Sequence, residues 1–265
     1  MALLDDVSNA IKVLEMLAPE PEGLRVTQVA DGLGINKAIA HRLLGALVNA
    51  GYVAQDSRTS SYVATHRLGA LGLRQLSSSG VGTWAQRTLD QLAAESEELV
   101  RLAVSSSGSL QWIAKAQGSN SSLRIDPVMG QEAIPYATAS GKAWLASLNK
   151  ERINRILQEH GLVPQTERTV TDVADIFDEL QEVQERGYAM TFEEMDPGIN
   201  AVAAPVFGAG TDEEATGTLS IAGPSIRMTR TRMDELAPAL LEAANEIAAS
   251  WPSYAYLSTN EVLSA

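Results

Sequence analysis

The stretch 36–51, NKAIAHRLLGALVNAG, restricts the fold of this chain more than any other. On a 3.6-residue period Ile39, Ala40, Leu43, Leu44, Ala46, Leu47 and Ala50 share one arc, while Lys37, Ala38, His41, Arg42, Gly45 and Asn49 share the other. Asn36 suits an N-cap and Gly51 a stop. Ahead of it, Thr27 is placed to cap a shorter helix with apolar positions Val29, Ala30 and Leu33, and Gly32-Leu33-Gly34 supplies a tight turn. Two helices crossing at such a turn need a small residue where they touch and a residue that accepts positive φ. Ala30 and Gly34 meet those needs. The spacing predicts a helix-turn-helix with 36–50 as its recognition helix, although a plain three-helix packing unit shares the pattern.

The flanks add context. Val7, Ala10, Ile11, Leu14 and Leu17 lie on one helical stripe that Pro19 and Pro21 end. After Gly51, two strand-like runs at 52–54 and 61–64 enclose a polar loop with Arg58 near its tip, the pattern of a wing. The outward arc of small residues, two cations and an imidazole fits a phosphate-lined groove, with Lys37, His41 and Arg42 toward the groove and Thr27 and Arg58 toward phosphates. Arg42 could equally pair with an acidic partner such as Asp31.

The formal charge of -13 opposes binding to a polyanion. Its distribution removes the objection. Residues 1–76 carry seven Lys/Arg against seven Asp/Glu, whereas residues 77–265 carry 13 against 26. A neutral first domain can dock through one basic face while the acidic remainder is held off. The chain has no Cys, and its three His (His41, His66, His160) sit on separate elements. Disulfides, thiolate sites and a Cys nucleophile are therefore excluded, and neither a metal nor a cofactor is expected. No apolar run is long enough for a membrane span, and 1–18 lacks a leader pattern, so a cytoplasmic protein without membrane partners is expected.

The region 65–76 is compatible with a linker helix weakened by Gly69 and Gly72, and the run Ser77-Ser78-Ser79-Gly80 has linker composition. We expect a DNA-binding domain with linker helix at 1–76 and a second domain at 77–265. The second domain reads as α+β: a helix from Thr83, a hairpin at 98–104 and 110–116, a short strand at 123–125, and helices at 140–148, 151–159 and 172–186. Strands at 188–193, 199–206 and 215–222 follow, then a closing helix at 229–250 and a poorly ordered tail.

The run LRVTQVADGLGINKAIAHRLLGALVNAGYV resembles the winged helix-turn-helix of the IclR family of bacterial transcriptional regulators. Three later runs, ATASGKAWLA, RGYAMTFEEMDPGINAVAAPVF and GTLSIAGPSIR, resemble the same family in its order and spacing. The resemblance implies a GAF-like effector-binding domain, an organic or aromatic acid as effector, and double-stranded operator DNA as partner. It also implies homodimers, often paired into homotetramers, with repression the expected sign. For the DNA contacts it adds Asn36 and Ala38. Effector contacts would fall on Ala139, Ser140 and Gly141 at a helix start and on Thr191, Ala201, Ser220 and Ala222 on strands. Trp112, Tyr136, Met190 and Asn200 are candidate walls or amide donors. Thr191 stands where some members carry an acid, and Ala201 and Ala222 where small polar groups stand. The pocket is therefore expected to be less polar and to take a larger or less charged effector.

Other chemistry is poorly supported. Gly141-Lys142 lacks the upstream Gly and the Ser/Thr of a phosphate loop, and no strand precedes Gly32 as a dinucleotide loop requires. A Ser140/Lys142 nucleophile pair lacks a general base and an oxyanion constellation. No catalytic residue is assigned. The alternative reading is an enzyme or ligand-binding module using the Ser140 region, with the first domain as a docking unit. In the cluster Glu193, Glu194 and Asp196, a solvated loop is set against one carboxylate facing the pocket.

Overall fold

The computed structural model describes residues 2–79, 85–106, 108–127, 129–208 and 214–251. The chain divides into two compact units between Ser78 and Ser79. The first contains α1 (Ala2–Leu17), α2 (Val26–Leu33), α3 (Lys37–Asn49), β1 (Val53–Gln55), β2 (Tyr62–Ala64) and α4 (His66–Ser79). Val13 and Leu17 of α1, Val29 and Ala30 of α2, Ala40, Leu44 and Leu47 of α3, and Val53 and Tyr62 of the hairpin form one core. Removing these side chains from water fixes the three helices and the wing as one body.

Local chemistry sets the turn. The Asn36 side chain accepts the Ile39 N–H at 2.9 Å, a helix start whose loss costs about 1 kcal/mol. Gly34 lies at φ 64° and Gly51 at φ 79°, the left-handed region that turns require and that glycine enters freely. β1 and β2 pair antiparallel, Val53 opposite Ala64 and Gln55 opposite Tyr62.

Four expectations shift. Helix α2 starts at Val26, so Thr27 lies inside its first turn and does not cap it. The reason is a backbone pair: Leu24 and Tyr62 exchange N–H···O bonds of 2.9 and 2.8 Å, which hold the chain extended as far as Arg25. Gln28 then supplies the cap by accepting the Arg25 N–H at 2.9 Å. On α1, Val7 and Ile11 are exposed, 57% and 53%, while Val13 faces the core. Ala46 and Ala50 of α3 are exposed. The serine run is helical, because α4 continues through it to Ser79.

The second unit contains α5 (Gln86–Ser96), β3 (Leu99–Ser106), β4 (Ser109–Gln117), α6 (Ala139–Leu145), α7 (Lys150–His160), α8 (Val173–Arg186), β5 (Ala189–Phe192), β6 (Ile199–Val206), β7 (Gly217–Pro224) and α9 (Arg230–Ala249). The five strands form an antiparallel sheet in the order β4-β3-β7-β6-β5. One face packs on α5 and α9 through Val100, Leu102, Val202, Leu219 and Ile221. The other packs on α6, α7 and α8 through Ala103, Ala201, Ala203 and Ala222. With both faces covered, most strand positions are buried on one side or the other, and the period-2 alternation decides which.

One irregularity interrupts that alternation. Leu102 pairs with Ala114 but Ala103 pairs with Trp112, so Ile113 has no partner on β3. This β-bulge moves Trp112 to the α6 face, whereas Ala114 and Ala116 stay on the other. The expected strand at 123–125 does not form. Side chains hold that segment instead: Gln117 Nε2 donates to the Ile125 carbonyl at 2.7 Å, and Arg227 donates to the Leu123 carbonyl. The helix expected at 140–148 ends at Leu145, followed by a turn. Thr83 and the tail beyond Trp251 lie outside the described residues. Among the described residues, no helix is long and apolar enough to cross a membrane.

Candidate functional site

In the first unit, Lys37, Ala38, His41 and Arg42 all lie exposed on α3. Asn36 spends its side-chain oxygen on the cap, and Thr27 is exposed on α2. Arg42 Nη2 donates to both carboxylate oxygens of Asp6 at 3.1 and 3.0 Å. Its partner is thus on α1 and is not Asp31. Such an exposed pair is worth at most about 1 kcal/mol, so the guanidinium can exchange the carboxylate for a phosphate. At the wing tip Asp56 accepts the Arg58 N–H at 2.7 Å and Ser60 adopts φ 61°. That turn leaves the Arg58 side chain 87% exposed.

In the second unit, a cavity of about 90 Å³ lies between the sheet and the start of α6. Seven of the anticipated contacts line it: Trp112, Ala139, Ser140, Thr191, Ala201, Ser220 and Ala222. Four do not. Met190 and Asn200 precede Thr191 and Ala201 by one residue, and alternation sends them to the opposite face; the Asn200 amide donates to the Met228 carbonyl at 2.8 Å. Tyr136 is buried among apolar side chains and its hydroxyl donates to the Val163 carbonyl at 2.7 Å. Gly141 is a packing position: a Cβ there would stand 2.5 Å from Pro135 backbone atoms.

The lining also includes residues that were not anticipated, among them Arg101, Gln131, Met195 and Asp196. Arg101 projects from β3 with its guanidinium 3.7 Å from the centre of the Trp112 ring. Burial pulls its pKa down to about 10, with Asp196 opposing the shift. Asp196 sits in the β5–β6 turn, fixed by the Glu193 carboxylate on the Gly198 N–H at 2.9 Å and by the hydroxyls of Thr166 and Thr169, which donate to the Glu193 and Glu194 carbonyls. The acidic cluster therefore places one carboxylate at the cavity. Gln131 arrives because the loop pairs with the edge of β4, where the Trp112 N–H donates to the Gln131 carbonyl at 3.1 Å.

Catalytic chemistry has no support here. The Thr138 hydroxyl accepts the Gly141 N–H at 2.9 Å, and Ser140 Oγ has no hydrogen-bond partner. Lys142 is fully buried, with its ammonium 2.6 Å from Glu179 and 2.5 Å from Glu194. Burial pushes the Glu194 carboxyl up and Lys142 pulls it back. The ammonium is thereby committed to two carboxylates and is not available as a base. Its role is to tie α6 to α8 and to the turn that carries Asp196.

A winged helix-turn-helix followed by a five-stranded α+β unit with an internal cavity defines the class of ligand-responsive transcriptional regulators. The description "IclR helix-turn-helix domain" matches residues 7–57, and "Bacterial transcriptional regulator IclR C-terminal" matches residues 73–249. The chain belongs to the IclR family of bacterial transcriptional regulators, a family without enzymatic activity. It is 30% identical over 255 residues to the HTH-type transcriptional regulator KdgR of Escherichia coli K12, covering 95% of each chain. With the transcriptional repressor IclR of the same organism it shares 26% identity, covering 92% of this chain and 89% of that one. The crystal structure of the IclR transcriptional regulator from Alicyclobacillus acidocaldarius superposes with a TM-score of 0.80 at 28% identity, over 94% of this chain and 99% of that one.

Proposed function

We propose that this chain is a repressor whose hold on an operator is set by a small organic effector bound in the second unit. The observation that carries the reading is the pairing, in one chain, of an exposed polar arc on α3 beside a wing with a cavity whose apolar lining carries a few polar groups. In this reading Lys37, Ala38, His41 and Arg42 lie along the major groove, and Asn36 sets the helix start. Thr27 and Arg58 reach the flanking phosphates. The reading keeps the operator-binding domain with its linker helix at 1–76 and the effector-binding domain at 77–265, beside the division after Ser78. Repression is the function of the transcriptional repressor IclR of Escherichia coli, to which this chain is similar.

Two recognition helices are needed to read a palindromic site, so the reading includes a homodimer, with a homotetramer as its doubled form. Val7 and Ile11 on α1 and Leu71 and Leu73 on α4 are exposed apolar side chains that support an interface on this unit. Effector binding would shift the population of dimer geometries that suit the operator. The test is fluorescence anisotropy with an operator duplex selected from random sequence. Titration with organic acids should release the DNA from the wild-type chain but not from Ser140→Trp, which fills the cavity. Release unchanged by Ser140→Trp would refute the assignment of the cavity.

A further inference from the structure

Three polar atoms without hydrogen-bond partners meet at the cavity between the sheet and the start of α6: Arg101 Nε, Trp112 Nε1 and Ser140 Oγ. Arg101 forms no ion pair among the described residues, although Asp196 lines the same cavity. A cation drawn out of water without a counter-ion is costly, and so is each unmade hydrogen bond. Nothing in the packing of the sheet requires an arginine at this point of β3, whose inward neighbour is Ala103. The Trp112 ring, brought over by the bulge, covers the guanidinium from one side and leaves its edge toward the cavity.

Resting on the effector-binding reading above, we propose that Arg101, held flat by Trp112, is the carboxylate anchor of this cavity and that its ligand is a short monocarboxylate bearing a hydroxyl. The fork of N–H groups on a guanidinium matches the two oxygens of a carboxylate. Trp112 Nε1 and Ser140 Oγ offer donors to the hydroxyl oxygen of the ligand, and the Asp196 carboxylate accepts its proton. That same carboxylate repels a second negative charge. The cavity volume of about 90 Å³ favours a small ligand.

The anchor is specificity-determining, and a merely structural role predicts a different result. Titration calorimetry and thermal melting of the full chain would use lactate, its neutral counterpart lactamide, the dianion oxalate of equal size, and benzoate. Saturable binding of lactate is expected, with the other three at least 100-fold weaker. Arg101→Met should lose lactate by at least 100-fold while melting, without ligand, at or above the wild-type temperature, since it removes a partly buried charge that makes no direct ion pair. Arg101→Lys, which keeps the charge without the fork, should bind lactate more weakly than wild type and more tightly than Arg101→Met, and serves if the Met variant does not fold. Equal binding of lactate and lactamide, no lactate binding by the wild type, or unchanged lactate binding by Arg101→Met would overturn the proposal. Melting of Arg101→Met well below wild type would also overturn it, by marking Arg101 as structural. Ser140→Trp separates the two readings. Lactate binding that survives it places the ligand outside the cavity and refutes the underlying assignment. Binding of lactamide equal to that of lactate and abolished by Ser140→Trp keeps the cavity and refutes only the anchor, and tight binding of benzoate that it abolishes keeps the cavity and refutes the short hydroxy-acid ligand.

Discussion

The two units carry their functional residues under opposite conditions. On α3 the groove-facing side chains are exposed, and the one ion pair among them, Arg42 with Asp6, stands in solvent. Around the cavity, Arg101, Trp112 and Ser140 have buried polar atoms without partners, and Lys142 is sealed between two carboxylates. A surface site can change its residues at almost no cost to folding. An interior site is part of the stability of its unit, so ligand and fold are coupled there.

The largest effect should come from the interior. Lys142→Ala leaves Glu194 buried without its partner, and the second unit should lose about 3 kcal/mol, read as a lowered melting temperature. An unchanged melt would show that the interior site is as tolerant as the surface one. Next is Arg42→Ala, expected to weaken operator binding by about 1–3 kcal/mol at matched salt while changing stability by no more than about 0.5 kcal/mol. Equal operator affinity would remove Arg42 from the interface. Asn36→Ala falls between the two regimes: the lost cap should cost the first unit about 1 kcal/mol, and operator affinity should fall with the order of α3. Retained stability in denaturant would place the start of α3 under other control.

The smallest effect near neutral pH concerns Arg101. Its folded-state pKa, about 10, lies below the ordinary arginine value. Above that point the unfolded chain binds the extra proton, so this group's contribution to stability rises with pH. Binding of a carboxylate needs the charged guanidinium, so lactate affinity should fall over the same interval. Asp196 is the charged group facing Arg101. Stability and affinity moving in the same direction above pH 10 would separate the anchor from Arg101.

What could be read from the sequence follows the same division. The first unit announced itself because helical period, cap and turn are local signals: Asn36, Gly34 and Gly51 each act within a few residues. The error at Thr27 came from a long-range pair, Leu24 with Tyr62, that no local pattern encodes. In the second unit the strands were legible, but the face that each residue takes was assigned by resemblance and not by alternation. Alternation alone separates Met190 from Thr191 and Asn200 from Ala201, so those two corrections were available in advance. Arg101 was not. Within Leu99–Ser106, LVRLAVSS, a lone arginine reads as an outward position on an edge strand. Only the sheet order, with β4 and β7 on either side of β3, turns that position inward.

The bulge at Ile113 has a consequence for inheritance. Because Trp112 reaches the cavity through the skipped Ile113 in β4, loss of the codon for Gln111, on the turn side of Trp112, would let Ile113 pair with Ala103 and set the indole opposite Val104, on the face that packs against α5 and α9. Arg101 would lose its cover with no substitution at any lining position. Ligand preference in this chain can therefore drift by a change of length, a route that comparing residues column by column does not register.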